Sequence, residues 1–312
     1  MSSKETTTAV LVTIAAANQL ADASYPRKVS EPHQVALVPR EHFKKALRIE
    51  ERTACALDAI ATVLVKASRD EVIAVGLQVD YSSPGSVTIT VAANTDVLPT
   101  TVKHLTEIWD ALYKLRIKYR AQQEKEKSKK QAYADEMPPK PHEAPLPVEH
   151  CELVKLVYVY SFAKFSRRLE KCYHKIISTL NMLKDRVKSG ELDQDDDTIL
   201  NLFYVLGYLR SFHNYDMSKL QENQFIKNMT ATFFAFQELL SETEKSRARA
   251  ILGTSFEDTW RHIEKSLALQ TAIMDLDRFA GSRRMSPILS KTLIVNNLPA
   301  AICAELPSQI SD

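Results

Sequence analysis

Between Glu41 and Ala67 the apolar residues Phe43, Leu47, Ala54, Leu57, Ile60, Ala61 and Leu64 recur at intervals of three and four. That spacing predicts an amphipathic helix, with Glu50 and Glu51 as its one polar interruption. The period then changes. In "EVIAVGLQVD" the residues Ile73, Val75, Leu77 and Val79 alternate with their neighbours, and in "SVTITVAAN" Val87, Ile89, Val91 and Ala93 do the same. Alternation of this kind predicts strands with one buried face. Between them "YSSPG", Tyr81 to Gly85, supplies turn residues, so an antiparallel hairpin is the natural connection.

After the hairpin, Thr100 or Thr101 can cap a helix whose apolar face holds Val102, Leu105, Ile108, Trp109, Leu112 and Leu115. Its continuation, "QQEKEKSKKQ", has no apolar face, and five prolines follow between Met137 and Pro147. Gln122 to Pro147 therefore reads as an exposed linker or insertion. From His150 onward the pattern is helical almost throughout, with new segments starting near Glu149, Asp197, Met217, Ser241 and Ser255. "KTLIVNNLP" near the end has the character of a late strand, and the apolar run Ala9 to Ala17 that of a short helix or strand packed on the body.

These elements predict an α+β, predominantly helical chain. Residues 1–40 form an N-terminal segment; 41–121 and 148–166 form a helix/β-hairpin/helix part; 122–147 form the linker; and 167–312 form a helical C-terminal region. With 312 residues, 45% of them hydrophobic, the chain can bury a substantial core. The 41 Lys and Arg nearly cancel the 39 Asp and Glu, so any basic surface must be local. Six glycines, none in a phosphate-cradling cluster, exclude P-loop chemistry. Cys55, Cys151, Cys172 and Cys303 are far apart, a distribution that points to reduced thiols in a cytoplasmic or nuclear, not secreted, protein. The Ala9 to Ala17 run is too short to span a bilayer, so no membrane association is expected.

One tripeptide suggests chemistry. His150 and Glu152, in "VEHCELVKLVYVY", form H-x-E at the start of an apolar helix. Helix, strand, antiparallel strand and then a helix opening with H-C-E resembles the first half of the cytidine-deaminase-like fold, most of all its divergent fungal and bacterial-toxin members. The resemblance spans about Phe43 to Phe165 and treats the helix from Thr101 and the linker as an insertion. It implies zinc as cofactor, with His150 as a ligand and Glu152 as the acid and base that shuttles protons around a metal-bound water. It also implies, more loosely, a substrate-binding role for Asn94 at the end of the second strand. Substrates would be nucleobases or nucleosides, deaminated by hydrolysis.

The chain departs from the family where the other zinc ligands should lie, because no P-C-x-x-C occurs. Cys172 stands about 30 Å along the same helix, too far to share a metal with His150. Cys303 is the remaining candidate second ligand, and a zinc site needs three protein ligands. H-x-E also recurs as His262 and Glu264 in mid-helix, without metal-ligating neighbours. The expectation is therefore a deaminase-like chain whose zinc site is incomplete, inactive or truncated. The alternative is a non-catalytic helical interaction or scaffold protein that holds a protein partner through its C-terminal helices, with His150 and Glu152 as an ordinary first helical turn.

Three further features have plainer readings. The acids Asp193, Asp195, Asp196 and Asp197 lack EF-hand spacing and read as a loop capping the helix from Thr198. The basic stretch from Lys114 to Lys130 could touch nucleic acid phosphates but reads first as a solvated helix end. The aromatic series Phe203, Tyr204, Tyr208, Phe212 and Tyr215, with Phe225, Phe233, Phe234 and Phe236, reads as core.

Overall fold

The computed structural model describes residues 11–13, 49–66, 71–80, 85–132, 147–216, 223–283 and 287–298. In chain order the elements are β1 (Leu11–Thr13), α1 (Ile49–Leu64), β2 (Ile73–Val79), β3 (Ser86–Ala93), α2 (Pro99–Ala132) and α3 (Val148–Lys188). They continue with α4 (Asp197–Phe212), α5 (Asn223–Glu238), α6 (Glu242–Leu252), α7 (Phe256–Gly281) and β4 (Thr292–Leu298). The chain is α+β and predominantly helical, as the periodicity predicts. Among the described residues no helix is long and apolar enough to cross a membrane.

The hairpin forms in the expected register, with Ile73 opposite Ala93 and Val79 opposite Val87. Its alternating residues Ile73, Val75, Val87, Ile89 and Val91 are buried on one face. Gly85 takes φ 71 just before β3, a left-handed conformation that glycine adopts without steric cost. The sheet then gains an edge on each side. β1 pairs antiparallel with β2, and β4 pairs parallel with β3, in the order β1-β2-β3-β4. The late strand is thus a strand, and Lys291 donates to the Asp80 carbonyl at 2.9 Å beside its start.

α1 is less amphipathic than its spacing suggests. Ala56, Leu57, Ala59, Ile60, Ala61, Val63 and Leu64 are all buried, because the sheet covers one side and α7 the other. A helix buried nearly all round must lie inside the fold. Its C-terminal end is held by polar groups of other helices. Ser161 on α3 donates to the Val65 carbonyl at 3.0 Å and to that of Val63 at 3.4 Å. His104 on α2 bonds the Val63 backbone and stacks on Tyr160, with 3.8 Å between ring centroids; burial holds its pKa down at about 4.

Three boundaries differ from the sequence expectation. α2 starts at Pro99, so Thr101 sits inside the first turn, where its hydroxyl meets that of Tyr160 at 2.9 Å. Proline suits such a start because its missing N–H would be unpaired there in any case. α2 also runs on to Ala132, so the charged segment from Gln122 is helical rather than linker, and the proline run lies outside the described residues. Finally, α3 continues unbroken from Val148 to Lys188, so residues 166 and 167 mark no domain boundary. Its buried side chains join those of α1, the sheet, α2, α4, α5 and α7 in one hydrophobic core.

Other local readings hold. Asp196 caps α4, accepting from the Thr198 amide at 2.8 Å, and pairs with Arg247. Ser241 and Glu244 start α6 with the serine hydroxyl accepting from the Glu244 amide at 3.2 Å. The aromatic series is mostly core, with Tyr158, Phe165, Phe212, Tyr215 and Phe225 in contact; Tyr204 is 39% exposed. In the basic stretch Lys114, Lys118, Arg120 and Lys125 are exposed, but Arg116 is buried, which a solvated helix end does not explain.

Packing α7 on α1 places Asp58 near Asp275, and their carboxyl pKa values are both raised. For Asp58 the cause is burial and then the Asp275 charge; for Asp275 it is burial, partly offset by Arg278. The folded state therefore holds protons that the unfolded chain has released. The protonated pair is fully stabilising below the ordinary carboxylate range, and that contribution is lost as pH rises through the folded pKa values. Asp58→Asn is expected to raise the melting temperature at pH 7, by about 2–4 °C for each kcal/mol of relieved cost. The gain should shrink toward pH 4. Scanning calorimetry across that range tests it, and an unchanged or lower melting temperature at pH 7 would refute it.

Candidate functional site at the start of the third helix

Pro147 stands at the N-cap of α3, and Val148, Glu149 and His150 form its first turn. The turn lies against α2 and α7, and His150 points inward. Its side chain is fully buried, with Nδ1 2.8 Å from Asp277 Oδ1 on α7. The same carboxylate takes the Tyr119 hydroxyl of α2, at 2.8 Å to Oδ1 and 2.9 Å to Oδ2. An ionised carboxylate only accepts hydrogen bonds, so Nδ1 and the tyrosine both donate. Burial first, and then the Asp277 charge, push the Tyr119 phenol far above its ordinary value, which keeps it a donor. Three helices are thus tied by one acceptor.

The other imidazole nitrogen, Nε2, is buried without a hydrogen-bond partner. Nδ1 bound to a carboxylate is how many metal-ligating histidines are oriented, leaving Nε2 for the metal. What surrounds this one is insufficient. Among the described residues no three His, Cys, Asp or Glu side chains converge to hold a metal ion. A zinc ion at His150 would need ligands from elsewhere, and Cys303, the expected second ligand, lies outside the described residues.

Glu152 is not brought to His150. Two positions along a helix are about 200° apart, and with the histidine facing the core the glutamate is exposed. The carboxylate that shares the site is Glu149, whose charge acts on Tyr119 and which faces Lys118 at 3.9 Å. Asn94 has a structural contact at the end of the hairpin. Its Oδ1 accepts from the Val72 amide at 2.9 Å, and its own amide donates to the Val72 carbonyl at 3.2 Å. The hairpin packs on α1, whereas α3 packs chiefly on α2, α4 and α7. The ribbon and the H-C-E turn are therefore not principal packing partners. Cys151 is half-buried and Cys172 is buried, with Sγ 3.6 Å from the Ser266 hydroxyl.

Sequence reasoning missed Tyr119 and Asp277, although both left a signal. Tyr119 continues the α2 stripe of Leu105, Ile108, Leu112 and Leu115, and Asp277 interrupts the α7 stripe of Ile273, Leu276 and Ala280. A polar residue at a core position of a helix is a candidate for a buried network. Comparison of the chain with protein-family models, with curated proteins and with solved structures finds no match.

Asp277→Ala would leave two buried donors unpaired, at a cost of about 1–3 kcal/mol each. Tyr119→Phe removes one donor together with its need for a partner, and should cost about 1 kcal/mol. Urea denaturation is expected to rank Asp277→Ala well below Tyr119→Phe in stability. Equal effects would mean that the carboxylate does not join the three helices.

Proposed function

We propose that this protein acts by binding, as a non-catalytic helical interaction protein, and that the H-x-E of α3 is a structural turn. The observation behind this reading is the separation of the pair. His150 is sealed among α2, α3 and α7, while Glu152 faces solvent. A deaminase needs both groups at one water molecule, the imidazole on the metal and the carboxylate within hydrogen-bond reach of the attacking oxygen. On α4, Leu200 and Tyr204, one helical turn apart, are 47% and 39% exposed beside half-buried Phe203 and Tyr208. An outward apolar stripe on a C-terminal helix supports an interaction role.

A second reading has one observation in its favour. Asp277 on Nδ1 fixes the tautomer in which Nε2 can ligate zinc. On that reading the chain is a deaminase-like hydrolase of nucleobases or nucleosides, with His150 as metal ligand and Glu152 moving protons. The two diverge on simple measurements. Purified full-length protein is expected to contain no stoichiometric zinc and to release no ammonia from cytidine, adenosine or a single-stranded oligonucleotide. His150→Ala should lower stability. Stoichiometric zinc that His150→Ala removes, with ammonia release that Glu152→Gln abolishes, would replace the first reading by the second.

A further inference from the structure

Between Arg116 and Glu124, α2 runs past the C-terminal end of α7 and leaves a cleft of about 290 Å³ between them. Three of its lining residues are arginines: Arg116 and Arg120 from α2, and Arg283 from just after α7. One carboxylate, Glu124, accompanies them. The lining therefore has two positive charges in excess. Arg116 is only 8% exposed, and its Nε is buried without a hydrogen-bond partner. Among the described residues no carboxylate forms an ion pair with Arg116 or Arg120. Two guanidinium groups facing one cleft repel each other, and an anion between them would relieve that repulsion; Arg116 also lies over the Tyr113 ring, 5.7 Å from its centroid. The Arg116 pKa is lowered accordingly, by burial first and by Arg120 second.

The third arginine is positioned for the same anion. Arg283 Nε donates to Gln123 Oε1 at 2.9 Å, and Gln123 Nε2 donates to the Gly281 carbonyl at 3.4 Å. With Nε engaged, the two terminal nitrogens of Arg283 remain to form a fork. Such forks match the paired oxygens of a phosphate group. Gly281 and the Tyr119 ring complete the lining beside the arginines.

We propose that this cleft binds a small phosphomonoester, its phosphate held by Arg116, Arg120 and Arg283. A phosphate ester is close to a dianion at neutral pH and matches the excess charge of the lining, whereas a carboxylate would neutralise half of it. The volume lies at the lower end for ligand sites, enough for a phosphate and a small sugar but not for a large apolar body. The proposal is independent of the role given to His150, since its readout is neither zinc nor ammonia.

Isothermal titration of the full chain at constant ionic strength tests it, with inorganic phosphate, ribose 5-phosphate and a single-stranded oligonucleotide as probes. Ribose 5-phosphate or inorganic phosphate is expected to bind saturably, the tighter of the two showing whether the sugar is recognised. Arg120→Gln and Arg283→Gln alter exposed residues and should leave the melting temperature unchanged while each weakens binding about tenfold, or ~1.4 kcal/mol. Lys114→Gln, exposed on α2 and not lining the cleft, should leave affinity unchanged. The proposal falls if neither phosphate compound saturates, if Lys114→Gln weakens binding as much as the arginine variants, or if only the oligonucleotide binds.

Discussion

Most of α1 is buried, so this helix has to be covered on more than one side, and it imposes that constraint on the rest of the molecule. From Ala56 to Leu64 almost every side chain is buried. The sheet supplies one cover with its buried face of Ile73, Val75, Ile89 and Val91, and α7 supplies the other. Ala56, Ala59 and Ala61 are among the buried α1 side chains, and small residues let neighbouring backbones approach closely. Once α7 lies there, β4 can run beside β3 in parallel, and the N- and C-terminal parts of the sequence become one sheet and one core.

Burying this much chain forces polar groups inside, and they are placed where helices must be held in register. Ser161 and His104 occupy the carbonyls at the end of α1. Asp277 gathers His150 and Tyr119, so α2, α3 and α7 are pinned at one end by a single carboxylate. Networks of this sort stabilise little relative to an apolar core but strongly disfavour other alignments, because a shifted helix would strand a buried donor. The same geometry faces His150 inward, away from Glu152 and from solvent.

The pinned end of α2 and α7 adjoins the arginine cleft. Tyr119 belongs to both, with its hydroxyl on Asp277 and its ring against Gly281. Rigid helices joined by a buried network are a suitable frame for a small anion site, since the arginines of α2 are fixed relative to the end of α7 before any ligand arrives. The proposed binding role and the inward-facing His150 are mutually consistent.

Periodicity alone was sufficient for the hairpin, for the helices α1 to α7 as elements and for most core residues, because side-chain burial in a helix or strand repeats with the local geometry. It also showed the cap at Asp196 and the late strand from Thr292, which depend on a few adjacent residues. It could not show that the tail of α2 stays helical, since that segment lacks an apolar face and periodicity is then silent. Nor could it separate a catalytic H-x-E from a structural one, because the answer lies in what stands opposite the imidazole. His150 meets Asp277 across 127 residues, and Arg116 meets Arg283 across a helix crossing. Those encounters are set by packing around α1, a long-range constraint with no local trace beyond a polar residue where an apolar one would be expected.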